Sequence, residues 1–187
     1  AFFCWLPKLF GKRVVVTIHG LDWMREKWKG GFGSRFIRKG EEHAIKYADE
    51  IIVLSEGVQS YFREVYGRDT KFIPNGVALE KFSYNASVRE EMRKKLGVED
   101  KFVIGHAGRF NIQKNHEYLI EMFSALHSKC PDTVLLLFGD GELYKKIQDK
   151  VKKMNLEDSV RFMGTTDEMP KMYQAIDVFV MPDRKSV

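Results

Sequence analysis

The sequence predicts an α/β fold made of two successive parallel-sheet units, and two observations carry that expectation. Short β-branched or aliphatic runs alternate with stretches whose apolar residues recur at helical spacing. The alternation also lapses over residues 77–87 and then restarts. Strands separated by helices imply βαβ units and hence a parallel sheet, so the lapse is read as the boundary between domains spanning 1–82 and 83–187, both Rossmann-like.

Each element has its own warrant. Residues 1–10 read as the end of a helix. Val14-Val15-Val16-Thr17-Ile18 is a buried strand whose exit carries His19-Gly20. Residues 21–33 mix Trp23, Trp28 and Phe32 with Arg25, Lys27, Lys29 and three glycines, giving a basic-aromatic loop whose charge extends to Lys39. Ser34 is placed as the cap of a helix reaching Ala48; the strand Ile51–Leu54 follows, and the next helix runs from Glu56 to Tyr66, ending at Gly67. Lys71-Phe72-Ile73 is a short strand closed by the turn Pro74-Asn75-Gly76.

In the second half, a helix from Val88 to Leu96 stops at Gly97, its charge run Arg89–Lys95 read as one solvated face. Strand 102–107, helix 116–129, strand 133–138, helix 142–154, strand 160–163, helix 167–175 and strand 178–181 complete the pattern. Asn85-Ala86-Ser87 has the form of a glycosylation sequon and is read as coincidence.

Composition bounds the function. The 187 residues are 44% hydrophobic and 30% charged, as in ordinary globular proteins, and the net charge of +5 admits anionic partners. The excess is uneven, with ten Lys/Arg against four Asp/Glu in residues 1–46. Two distant cysteines, Cys4 and Cys130, suggest neither a disulfide scaffold nor a zinc site, and point to a reducing cytosol. The apolar runs fall short of a membrane span.

The stretch Gly108-Arg109-Phe110-Asn111-Ile112-Gln113-Lys114-Asn115 lies between a strand and a helix. At such a loop glycine lets a ligand approach the backbone, the new helix offers unpaired N–H groups, and two cations stand five positions apart. The combination suits a phosphate or diphosphate.

Four signatures carry a family resemblance: Thr17-Ile18-His19-Gly20; Ile73-Pro74-Asn75-Gly76-Val77; Gly108-Arg109 through Gln113-Lys114-Asn115; and Val160-Arg161-Phe162-Met163-Gly164 leading to Met172-Tyr173 and Ala175–Pro182. In this order and spacing the chain resembles the GT-B glycosyltransferases, most closely the retaining enzymes of family 4 (glycosyl transferases group 1). The family's first glycine-rich loop would lie before Ala1 and its glutamate pair after Pro182, so the chain reads as a fragment in which both domains are incomplete.

The resemblance implies transfer of a sugar, with retention, from a UDP- or GDP-sugar to an acceptor hydroxyl, in cell-surface polysaccharide or glycolipid synthesis. It implies no metal. Arg109 and Lys114 would bind the donor diphosphate and stabilise the leaving group, and His19 would reach the donor sugar or its phosphate. Gly108, Asn115, Gly139, Gly141, Met163, Gly164 and Thr165 would line the nucleotide, while Asn75-Gly76 is first of all a turn. Expected partners are the nucleotide-sugar, a saccharide or lipid-linked acceptor and the anionic inner face of the cell membrane, with no nucleic acid and a cytoplasmic location. Two rivals stand beside this reading: a non-catalytic nucleotide-sugar-binding module, and a basic protein that binds membrane surfaces or nucleic acid.

Overall fold

The computed structural model describes residues 1–21 and 32–183. It divides into two compact units, one comprising Ala1–Val77 and the other beginning at Ala78.

The first unit contains α1 (Trp5–Leu9), β1 (Val15–Ile18), α2 (Phe32–Tyr47), β2 (Glu50–Val53), α3 (Glu56–Tyr66) and β3 (Lys71–Phe72). The strands pair in parallel in the order β1-β2-β3, with Val15 opposite Glu50 and Ile52 opposite Lys71. Ile51 and Val53 turn inward onto Phe62 of α3, Val14 and Cys4, forming the core of this unit. Helix α3 starts where the Ser55 hydroxyl accepts the Val58 N–H at 3.3 Å and stops where Gly67 turns left-handed at φ 60°. Asp49 binds the sheet to α1, accepting from Val14 N–H at 2.6 Å and from Lys8 Nζ at 2.5 Å.

Two expectations are corrected here. Ser34 does not cap α2 but sits inside its first turn, and positions 32–39 of the expected basic-aromatic loop are helical. Phe36 stacks on Phe2 at 4.7 Å and 21°, and Gly40 and Ala44, at successive i+4 positions, bury the same side of the helix; a Cβ on Gly40 would come to 3.4 Å from the backbone of Phe2. Positions 22–31 of that loop lie outside the described residues.

The second unit contains α4 (Leu79–Phe82), α5 (Ala86–Leu96), β4 (Phe102–Ala107), α6 (His116–His127), β5 (Thr133–Phe138), α7 (Tyr144–Lys153), β6 (Val160–Gly164), α8 (Met169–Ala175) and β7 (Val178–Phe179). All neighbours are parallel and the order is β6-β5-β4-β7. The chain therefore steps from β4 to β5 to β6 in one direction and returns to the other side of β4 for β7. Alternate residues feed opposite faces of this sheet. Ile104, Leu135 and Leu137 pack with Phe110, Leu119 and Phe123, while Val103, Val134, Leu136 and Phe138 pack with Val98 and Ile176. Gly105 admits Ile176 against β4: a Cβ there would lie 2.2 Å from the Ile176 Cδ1.

Helix α5 begins two residues before the expected Val88, because the Asn85 side chain accepts the Val88 N–H at 3.1 Å. Its charge run is not one solvated face. Arg89 and Arg93, one turn apart, reach the end of α8: Arg89 donates to Gln174 O at 2.8 Å and pairs with Asp177, and Arg93 donates to Ala175 O at 3.0 Å and to Asp177 Oδ2 at 3.0 Å. Burial alone would raise the Asp177 carboxyl, but the Val103 N–H and the two arginines hold it below the usual carboxylate range. Among the described residues no helix is long and apolar enough to cross a membrane.

Candidate functional site

β4 ends at Ala107 and α6 begins at His116, so residues 108–115 form the loop at the carboxyl end of β4. Because β5 and β7 flank β4 on opposite sides, this loop stands where the strand order reverses, the place where open α/β sheets bind ligands. Three loops are laced together here. Gly108 N–H donates to Phe138 O at 3.0 Å, Phe110 N–H to Asp140 O at 3.0 Å, and Gly139 N–H to Gly164 O at 2.7 Å. Such close approach requires glycine: a Cβ on Gly139 (φ +125°) would fall 2.2 Å from Gly108 O, and one on Gly141 would fall 2.6 Å from Phe110 O.

The loop turns on Asn111, whose side-chain oxygen accepts the Lys114 N–H at 3.0 Å. Asn115 adopts the left-handed conformation at φ 52° and starts α6 without a side-chain cap, so its side chain does not take up the first N–H groups of the helix. Each cation has a carboxylate from another loop. Arg109 Nε lies 3.3 Å from Glu142 Oε2, both side chains exposed. Lys114 Nζ donates to Asp183 Oδ2 at 2.7 Å, with only 28% and 25% of the two side chains exposed. Asn115 Nδ2 donates to Pro182 O at 3.3 Å, so the loop is also tied to the segment that follows β7.

Beneath the loop runs a file of rings. Phe179 stacks on His106 (6.2 Å, 19°), His106 meets His116 edge-on (4.8 Å, 85°), and His116 stacks on Phe110 (4.0 Å, 17°). Both histidines are buried. His106 Nδ1 lies 2.7 Å from Val180 O, and since a carbonyl only accepts, that nitrogen carries the proton. Nε2 of His106 and both nitrogens of His116 are buried without a partner. Burial lowers the pKa of His106, and burial, with repulsion from His106 whenever that ring is protonated, pushes His116 down to about 4, so both rings are neutral at pH 7. Sequence reasoning passed over this pair. The signal was a histidine inside an otherwise apolar strand, Val103-Ile104-Gly105-His106-Ala107.

The other candidates take these places. Met163 and Gly164 close β6, with Gly164 left-handed at φ 67°, and Thr165 is exposed just beyond. Gly108, Arg109, Lys114, Asn115, Gly139, Gly141 and Gly164 thus gather at the carboxyl edge of the second sheet. His19 belongs to the first unit, exposed at the carboxyl end of β1. A pocket of about 210 Å³ opens beside the loop, lined by Asn111, Ile112, Asn115, His116, Glu117 and Leu143. Among the described residues no three His, Cys, Asp or Glu side chains are grouped to hold a metal ion.

Comparisons with known proteins bear on this arrangement. Residues 88–185 match the family described as Glycosyl transferases group 1, and residues 1–81 the one described as Glycosyltransferase Family 4. The putative glycosyltransferase EpsF of Bacillus subtilis is 35% identical over 111 residues, which are 59% of this chain and 29% of that protein. The UDP-Gal:alpha-D-GlcNAc-diphosphoundecaprenol alpha-1,3-galactosyltransferase of Escherichia coli is 32% identical over 177 residues, covering 90% of this chain and 45% of its own length. The crystal structure of Anabaena HepE in complex with UDP superposes with a TM-score of 0.82 at 23% identity, over 97% of this chain and 50% of that one, a likeness of fold. The chain therefore spans half or less of the length of these proteins. With a family match over more than half of its residues and the fold of GT-B glycosyltransferases, the chain belongs to the glycosyl transferases group 1 family.

Proposed function

We propose that the protein containing this chain transfers a sugar from a nucleotide-sugar donor to an acceptor hydroxyl with retention of anomeric configuration, in polysaccharide or glycolipid synthesis. The observation that carries the reading is the loop 108–115, which sets two cations and an uncapped helix N-terminus at the point where the strand order reverses. Breaking the bond between sugar and phosphate leaves a nucleoside diphosphate of growing negative charge. Arg109, Lys114 and the N-terminal N–H groups of α6 meet that charge as it develops, which is worth several kcal/mol if each charge-assisted hydrogen bond contributes about 1.5–3 kcal/mol.

In this reading the second unit holds the donor, its nucleotide against Gly108, Asn115, Gly139, Gly141 and the backbone of Met163, Gly164 and Thr165. The first unit takes the acceptor side, where His19 orients the sugar or carries a proton. Names among the relatives support the donor and acceptor classes. One galactosyltransferase is named for UDP-Gal and a diphosphoundecaprenol-linked acceptor, and a mannosyltransferase of Mycolicibacterium smegmatis for GDP-mannose and a phosphatidylinositol mannoside. Lipid-linked acceptors of this kind would bring the protein to the inner face of the membrane.

The test is a sugar-transfer assay on the full-length protein beside calorimetric titration with UDP and GDP. Arg109→Ala and Lys114→Ala are each expected to lower turnover at least about tenfold, the loss of one charge-assisted contact. Unchanged rates remove both residues from the chemistry, and nucleotide binding without transfer identifies a non-catalytic module.

A further inference from the structure

Each cation of the loop is held by a carboxylate from a different strand exit: Arg109 by Glu142, after β5, and Lys114 by Asp183, after β7. The second pair is imperfect. One oxygen of Asp183 reaches the ammonium while the other, Oδ1, is buried without a partner, an acceptor left unsatisfied. Around it, both buried histidine rings are neutral and supply no competing charge.

Resting on the donor reading above, we propose that Glu142 and Asp183 set the strength with which this loop takes phosphoryl groups: they are resident anions that such a ligand must displace from Arg109 and Lys114. Two phosphoryl groups replace both carboxylates, bring more acceptor oxygens than they displace and reach the N–H groups of α6 as well. A ligand with a single phosphate replaces one carboxylate and leaves the other pair closed. An uncharged nucleoside gains nothing from the exchange. The two carboxylates therefore weaken the binding of phosphorylated ligands, most for a diphosphate because it displaces both, and leave that of an uncharged nucleoside unchanged.

The proposal has a sign that a supporting role does not share. If Glu142 and Asp183 served only to orient the two cations, removing either carboxylate would weaken nucleotide binding. As displaceable anions, their removal strengthens it. Calorimetric titrations of the full-length protein with UDP, GDP, UMP, GMP and uridine would be run for the unaltered protein, Glu142→Gln and Asp183→Asn. Glu142→Gln is expected to tighten diphosphate binding about twofold to fivefold, the range of an exposed ion pair. Asp183→Asn, at the more buried pair, should tighten it about tenfold. Uridine affinity should stay unchanged in both.

Diphosphate affinity that is unchanged or lower in both variants overturns the exchange while leaving the donor reading intact. Failure of UDP, GDP and inorganic pyrophosphate to bind the unaltered protein overturns the donor reading and the exchange together. Glu142 is exposed on the surface, so its variant keeps the test open if the Asp183 variant fails to fold.

Discussion

At the scale of single residues, His116 makes stability depend on pH. Its folded pKa of about 4 lies below the ordinary value of 6.5, so between those limits the unfolded chain binds more protons than the folded one. Stability is then complete above pH 6.5, falls as the pH drops towards 4, and levels below. Urea denaturation should show a loss of about 2 kcal/mol between pH 7 and pH 5 from this ring alone, at 1.36 kcal/mol per unit. His106, shifted the same way, adds to it. His116→Phe should flatten that slope; an unaltered slope would assign the acid sensitivity to other groups. Gly139 is the other residue with a sharp expectation. Its missing Cβ lets the loop after β5 lie on Gly108 O, so Gly139→Ala should destabilise by about 2–4 kcal/mol through forced backbone movement and weaken nucleotide binding in the same measurement.

At the scale of elements, α5 is fastened to α8 through Arg89 and Arg93 beside the apolar packing of Leu96. Arg93 donates to Ala175 O, Asp177, Glu99 O and Lys101 O. Arg93→Ala leaves those acceptors and the Asp177 carboxylate poorly paired, and should cost about 3 kcal/mol of stability by thermal unfolding; Arg93→Lys, which lacks the planar fork, should recover only part. Legibility from sequence follows the same physics. Strands 102–107 and 133–138 were readable to the residue because helices cover both faces and the runs are apolar apart from His106 and Thr133, and α3 was readable because Ser55 and Gly67 announce its ends locally. The direction of Arg89 and Arg93 was not readable, because a charge run looks alike whether it meets water or carbonyls that lie more than eighty residues away. The loop 108–115 was legible as a strand-to-helix connection in its own eight residues. Its carboxylate partners and the ring file beneath it come from other strands, and no local pattern joins them.

At the scale of the whole molecule, the two units carry separate cores: a small one around Ile51, Val53 and Phe62, and a larger one on both faces of the second sheet. Calorimetry should resolve two transitions, the first unit melting at the lower temperature. A bound nucleoside diphosphate at a hundred times its Kd should stabilise the second unit alone, by about 2.7 kcal/mol. A single transition that nucleotide shifts as one would show that the units unfold together.

The placement of β7 has a consequence for how the second unit is made. β4 meets β5 soon after synthesis, yet its other flank waits for Val178 and Phe179, and the partners His106 and Val180 stand 74 positions apart. Until that late segment leaves the ribosome, the central strand presents bare amides and carbonyls on one side, the kind of edge that pairs with a stranger. A nascent chain halted near residue 170 should therefore be far more prone to clump, and to be held by chaperones, than one allowed ten or twenty residues more.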